Sequence, residues 1–355
     1  MTVTIFKKSS VRDAVKYDNM LAANSASGIT IAIAYETSPY VSVHPWSNGF
    51  GTKYNDPGTL PTANADCVVF SPSGNDIAVA FNASPGVSVY RWSDSSGFGT
   101  RYANPATLPG SSNGVAFSPS GNDIVTAGIN NPNMYGYPFT SGTGFGTKYA
   151  NPATVPSSSN GVAFSPSGND VAVATGVTPY VNAYPFTSGT GFGTKYTNPA
   201  TLPANNGNGV AFNPAGTDVA IAHTTSPFIS VYPWSAGFGT KYSNPASLPA
   251  GAGNAVTFNP SGDTIAIAHS TTPFISVYPW TSGTGFGTRY SNPATLPTGI
   301  GSGVAFNPTG NDIAVAHTTT PFISVYPWVT GTGFGTKYSN PSTLPTGNGN
   351  WVTFK

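Results

Sequence analysis

The sequence predicts an all-β fold, a seven-bladed β-propeller with four-stranded blades, on three observations. First, one stretch recurs along the chain. Gly-Phe-Gly-Thr followed by a cation and Tyr (in blade 1 Gly49-Phe50-Gly51-Thr52-Lys53-Tyr54) places its Phe at Phe50, Phe98, Phe145, Phe192, Phe238, Phe286 and Phe334, with spacings of 48, 47, 47, 46, 48 and 48 residues. Second, each copy holds four short apolar runs separated by clusters of Gly, Pro, Asn and Thr, which punctuate strands rather than helices. Third, no window carries the apolar period of an amphipathic helix. Four short strands repeated every 40–50 residues or so mark a propeller blade.

The copy at 302–347 shows the elements most clearly. Strand a is expected at Val304–Phe306, b at Ile313–Ala316, c at Phe322–Trp328 and d at Gly333–Tyr338. Strand b alternates large and small apolar residues, as in Ile77-Ala78-Val79-Ala80 and Ile265-Ala266-Ile267-Ala268. A half-exposed strand would alternate apolar with polar instead. Two apolar faces of unequal volume suit a strand stacked between neighbouring blades. Blade 1 begins at strand b, Ile29–Tyr35, with no strand a before it. The missing strand lies at the other end, where 350–354 repeats the pattern of 113–117. Residues 29–355 are thus one ring closed by the C-terminal strand, which removes the free blade edges of an open array.

Val-x-Phe-x-Pro-x-Gly at 304–310 and Ile-x-Val-x-x-Trp at 323–328 resemble strands a and c of the Trp-Asp repeat propellers. The resemblance spans about 29–355 and implies a propeller used as a binding scaffold. No Asp follows the Trp and no Gly-His pair precedes strand a, so that family's hydrogen-bond tetrad is not expected. The Tyr-x-Asn-Pro-x-Thr-Leu-Pro link is similar to repeats in structural proteins of tailed bacterial viruses.

Composition excludes several classes. Charged residues make up 7% of the chain, against about 25% in typical soluble proteins. Hydrophobic residues reach 39%, but no run approaches the roughly 18 apolar residues of a membrane span. The 42 glycines and 33 prolines fall in periodic turns, so their abundance does not signal disorder. A net charge of +1 lacks the basic imbalance of a nucleic-acid binder. The single cysteine, Cys67, excludes an internal disulfide. Residues 1–28 stand apart with Lys7, Lys8, Arg12 and Lys16. Two readings stay open for them: a docking arm, or a decayed repeat in which Lys16-Tyr17-Asp18-Asn19 echoes Lys337-Tyr338-Ser339-Asn340. No apolar core of about 7–15 residues follows the cations, so a signal peptide is not expected.

The candidate sites are repeat features or turn residues. Cations recur on strand d (Lys53, Arg101, Lys148, Lys195, Lys241, Arg289, Lys337), where they protect an outer edge. Asp76, Asp123, Asp170, Asp218, Asp263 and Asp312 balance them from the a–b turns. His223, His269 and His317 end strand b in successive blades, about 10 Å apart at two strand spacings. That separation is too wide for one metal, whose ligands lie within about 2.3 Å of it. Gly142–Lys148 resembles a phosphate-cradling loop, yet it runs into a strand and not a helix. Aromatics ending strand c pack between blades, whereas the strand-d tyrosines, such as Tyr54 and Tyr196, are expected to be reachable from solvent. Glu36 is the only glutamate, and no acidic pair or nucleophile–base constellation can be assembled from the sequence.

The b–c turns vary most between blades, and with the d–a links they are expected to form one uncharged face. Its candidate binding residues are Thr37, Ser84, Asn130, Asn131, Thr178, Thr224, Thr271 and Thr319. Together these readings lead to an expected function: a non-catalytic surface protein of a tailed-phage virion, assembled in the host cytoplasm. It would need no cofactor and no metal, contact other virion proteins through residues 1–28, and meet a host-surface glycan or protein on its outer face. The alternatives are an intracellular scaffold for protein partners and a glycan-binding or glycan-processing propeller.

Overall fold

Each repeat folds into its own antiparallel sheet, and seven sheets stand side by side with their inner strands touching in cyclic order. The computed structural model describes residues 28–355; the arm residues Lys7, Lys8, Arg12 and Lys16 lie outside the described residues. The architecture is a seven-bladed propeller with four-stranded blades. In blade 7, strand a is Gly301–Phe306, b Asp312–His317, c Ile323–Val329 and d Gly333–Phe334. In blade 1, strands b (Ile29–Tyr35) and c (Val41–Trp46) are completed by the C-terminal strand Gly349–Phe354, paired through Ile33 and Val352. Beyond it, Lys355 Nζ reaches the Asp94 carboxylate of blade 2 at 2.6 Å.

Strand d is shorter than the sequence suggests. In blade 7 it pairs only at Gly333 and Phe334, and in blades 1 and 5 it is reduced to the bridges Trp46–Phe50 and Trp234–Phe238. The cause is the proline before the terminal aromatic of strand c, which has no N–H to give the ladder. Blade 2 carries Arg91 at that position, and there strand d runs over Gly97–Arg101.

The core lies between blades, and the large–small alternation of strand b builds it. Ile313 and Val315 of blade 7 pack with Ala266 and Ala268 of blade 6. Across the closure, Ile31 and Ile33 pack with Ala314 and Ala316. The repeating aspartates are not turn residues: with one exception they open strand b and are buried. Asp218 accepts from the Tyr242 hydroxyl of its own blade at 2.7 Å and from the Trp280 indole of the next at 3.2 Å. Asp170 serves Tyr196 and Trp234 in the same way. Tyr102, Tyr149, Tyr196, Tyr242 and Tyr338 thus spend their hydroxyls on these carboxylates; Tyr102 and Tyr149 are buried, and the other strand-d tyrosines, Tyr54 and Tyr196 among them, are half-buried. The exception is blade 6, where Thr264 opens strand b and Asp263 stands one residue outside.

Candidate functional site at the channel mouth

At the start of every inner strand, one residue occupies an equivalent position: Asp66, Asn113, Asn160, Asn208, Asn254, Ser302 and Asn350. In six blades it is the extra residue of a β-bulge. In blade 2, for instance, Ala65 faces Phe81 and Cys67 faces Ala80, leaving Asp66 without a partner. Blades 1, 4, 5, 6 and 7 repeat this at Asn350, Asn160, Asn208, Asn254 and Ser302. A bulge re-aims the side chain it carries. Here it turns the amides along the ring, each Nδ2 donating to a carbonyl of the next blade. Asn113 bonds Ser159 (3.1 Å), Asn160 Gly207 (2.9 Å), Asn208 Gly253 (2.9 Å), Asn254 Gly301 (2.8 Å) and Asn350 Ala65 (2.9 Å).

Asp66 is the one ionisable member of this ring. An ionised carboxyl has no proton to continue the chain of donors. Burial and the nearby Glu36 carboxylate raise its pKa to about 7. Both acids flank the entry of the closing strand: the Glu36 N–H donates to the Asn348 carbonyl at 3.2 Å, and Asn350 bonds the residue before Asp66. The sequence reading found no acidic pair, and the structure corrects it. Glu36 and Asp66 stand on different blades, thirty residues apart, and only ring geometry brings them together. The signal within reach was Asp66 itself, an acid where five copies carry Asn.

Below the ring, a cavity of about 350 Å³ is lined by six of the seven inner strands, with Asn113 and Asn160 at its polar end and Val115, Val162 and Phe164 in its wall. Trp351 also lines it, where four other blades have Gly. Those glycines let the strands close in: a Cβ on Gly303 would stand 2.8 Å from the Cα of Trp351, and one on Gly161 3.0 Å from the Asn208 carbonyl oxygen. Cys67 also lines the cavity, but burial pushes its thiol up to about 12, so it is no nucleophile at neutral pH.

The residues singled out from sequence fall elsewhere. Thr37, Ser84, Asn130, Asn131, Thr178, Thr271 and Thr319 are exposed and Thr224 half-buried, all on b–c turns. These turns share a face with the d–a links, as the Thr37–Thr346 contact at 2.8 Å illustrates. Among the strand-d cations, Lys148, Lys195, Lys241 and Lys337 hold the Asn of the following link, Arg101 holds Asn104 and Lys53 pairs with Asp56. His223, His269 and His317 each bond a serine of their own blade, Ser230, Ser276 and Ser324, at 3.0–3.1 Å. Burial lowers the pKa of all three to about 4.

No family model matches the chain, and no curated protein matches its sequence. Among solved structures, it is similar to a provisional 6-phosphogluconolactonase from Bacteroides fragilis, with TM-score 0.74 and 13% identity over 93% of this chain and 99% of that one. It is similar to the periplasmic gluconolactonase of Pseudomonas aeruginosa, with TM-score 0.69 and 14% identity over 92% and 99%. More distantly it resembles the Swd1 β-propeller domain from Myceliophteria thermophila, with TM-score 0.57 and 12% identity over 79% and 88%. The expected non-catalytic phage virion protein is corrected by these comparisons. Two of these similar structures carry the names of lactonases, which are hydrolytic enzymes, and nothing among them supports a phage-type repeat. What the likeness to all three shows is the fold, the seven-bladed propeller.

Proposed function

We propose that this chain is a hydrolase of the lactone-opening type, acting at the mouth of its central channel. One observation carries the reading: in a ring of amides re-aimed by bulges, a single position holds a carboxyl, Asp66, beside the only glutamate of the chain. Its pKa near 7 suits a group that must both take and return a proton at neutral pH. In the proposed reaction, ionised Asp66 accepts a proton from water as the water oxygen attacks the carbonyl carbon of a cyclic ester. The ester C–O bond then breaks, and the protonated carboxyl returns the proton to the departing alkoxide, leaving an open-chain hydroxy acid. Burial keeps the Asp66 pKa high, and the Glu36 charge adds to it by repulsion. The lactonase names of the structural neighbours support the same reading.

The test is hydrolysis of glucono-δ-lactone by the full chain, followed by acid release. Activity should rise with pH through an apparent pKa near 7, and Asp66→Asn should reduce it to the spontaneous rate. Glu36→Gln should shift the profile to lower pH. An Asp66→Asn variant as active as the parent, or a parent that opens no lactone, overturns the proposal.

A further inference from the structure

The channel also carries a feature that neither the repeat nor acid–base chemistry requires. Trp351 occupies the position that is Gly114, Gly161, Gly209 and Gly303 in four other blades, and Cys67 or Ala255 in two more. It is half-buried on the cavity wall and packs against core clusters on both sides of the closing strand. A lone indole among glycines is not needed to bring inner strands together, since the glycine blades pack without it. Its immediate neighbour in the chain, Asn350, is a ring amide that bonds the residue before Asp66. The indole therefore sits one residue from the polar ring, on the strand flanked by both acids.

Charge completes the picture. Among the described residues, no Lys or Arg lines the cavity. Six strand-d cations hold Asn or Asp of their own links and Arg289 bonds the Ser276 hydroxyl at 3.4 Å, while Arg91 Nη2 bonds the Gly142 carbonyl at 2.7 Å and Lys355 is paired with Asp94 at the closure. Asp66 stands at the start of an inner strand with the Glu36 carboxylate acting on it, and such carboxyls repel anions. A cavity of about 350 Å³ is wide enough for a single small ring, at the lower end of ligand clefts of roughly 300–1,000 Å³.

We infer that Trp351 is a stacking platform that selects an uncharged sugar-derived ring, and that the site rejects phosphorylated sugars. An apolar wall with a few amides fits a ligand that has C–H groups on one face and hydroxyls at its edge. The negative face of the indole complements the positively polarised C–H groups of such a ring. A phosphate would lose its hydration with no cation on the cavity wall to receive it. The inference rests on the channel reading proposed above, and adds to it the ligand's charge and the residue that holds it.

The experiment measures binding without turnover. The full chain is titrated calorimetrically with the lactam analogue of glucono-δ-lactone, and separately with its 6-phosphate. The lactam should bind saturably, and the phosphate at least about tenfold more weakly. Trp351→Gly, the residue other blades carry, should weaken lactam binding about tenfold or more, and Trp351→Phe by less than about threefold. Trp351→Leu keeps apolar bulk without a π face, and should resemble Trp351→Gly. Equal or tighter binding of the phosphate overturns the inference, as does lactam binding indifferent to Trp351→Gly and Trp351→Leu, or no binding at all. If the lactam binds in a Trp351-dependent way and no lactone is opened, the hydrolase reading fails and the platform stands. If lactones are opened equally well by Trp351→Leu, the platform fails and the hydrolase reading stands.

Discussion

The Trp46 indole Nε1 donates to Asp312 Oδ2 at 2.9 Å, joining blade 1 to blade 7 across a separation of 266 residues. Asp312 also accepts from the Tyr338 hydroxyl at 2.8 Å and from Asn307 Nδ2 at 2.7 Å. The same Asp–Tyr–Trp unit links blade 4 to 5 and blade 5 to 6. It takes the place of the tetrad that Trp-Asp repeats use, and here it is also a lock on ring closure. Asp312→Ala would leave the buried Trp46 indole and the half-buried Tyr338 hydroxyl without their acceptor, take one of the two acceptors of Asn307 Nδ2, and should cost roughly 2–4 kcal/mol. Trp46→Phe removes one donor and should cost about 1 kcal/mol. Urea denaturation of both variants checks the order; equal losses would show that the indole bond, not the carboxylate hub, dominates.

Blade 6 breaks the unit, and its neighbour shows the consequence. With Thr264 where the carboxylate belongs, Trp328 Nε1 in blade 7 is buried without a partner. The pair Asn311-Asp312 in blade 7 indicates the repair. The double variant Asp263→Asn/Thr264→Asp should stabilise the protein by about 1 kcal/mol by supplying the Trp328 acceptor. Thr264→Asp alone should gain less, because it sets two carboxyls side by side. A lower melting temperature for the double variant would refute the account.

The buried histidines set an acid limit. His223, His269 and His317 have folded pKa values near 4, below the unfolded 6.5. The unfolded chain therefore binds more protons between those values, and stability must fall as pH drops from 6.5 to 4. Each histidine contributes up to about 3 kcal/mol to that loss. Chemical denaturation at a series of pH values should show this acid limb; a flat profile between pH 4 and 6.5 would contradict it.

Asp66 has the opposite sign. Its folded pKa, near 7, lies above its ordinary value of 3.8, so its contribution weakens stability as pH rises from 4 to 7 and remains unfavourable above. Asp66→Asn should therefore stabilise the chain at pH 8 by at least about 1 kcal/mol, and hardly at all at pH 4. A residue that costs stability in the folded state is a mark of a functional site. Melting temperatures of parent and variant at the two pH values test this, independently of any activity.

Deleting 350–355 removes the strand that pairs with Ile31–Tyr35, the ring amide Asn350 and the Lys355–Asp94 ion pair. It leaves strand b of blade 1 with an open edge of unpaired backbone groups between apolar side chains. The truncated chain should unfold at lower denaturant or aggregate, read by denaturation and light scattering. Melting identical to the full chain would mean that the ring does not depend on its closure.

Much of the fold was legible in the sequence because a propeller repeats its physics. The spacing of the Gly-Phe-Gly pattern counts the blades, and the Ile-Ala-Val-Ala alternation states how they stack. The match of 350–354 to 113–117 shows where the ring closes. The repeat pattern extends strand d to Tyr338, beyond its paired residues, because Pro327 and its equivalents silence one donor of the ladder, an effect that local pattern does not display. Sequence shows the aspartates only as turn charge, because their partners, such as Trp46 for Asp312, come from another blade. The site was hardest to see. Asp66 and Trp351 are single departures from the repeat, visible in the sequence, but their weight depends on three-dimensional facts. A bulge turns residue 66 along the ring, closure places Glu36 beside it, and six inner strands enclose the cavity below. A repeat determines its own packing locally, whereas what meets at the axis is decided only when the ring closes and residues hundreds of positions apart share one low-dielectric space.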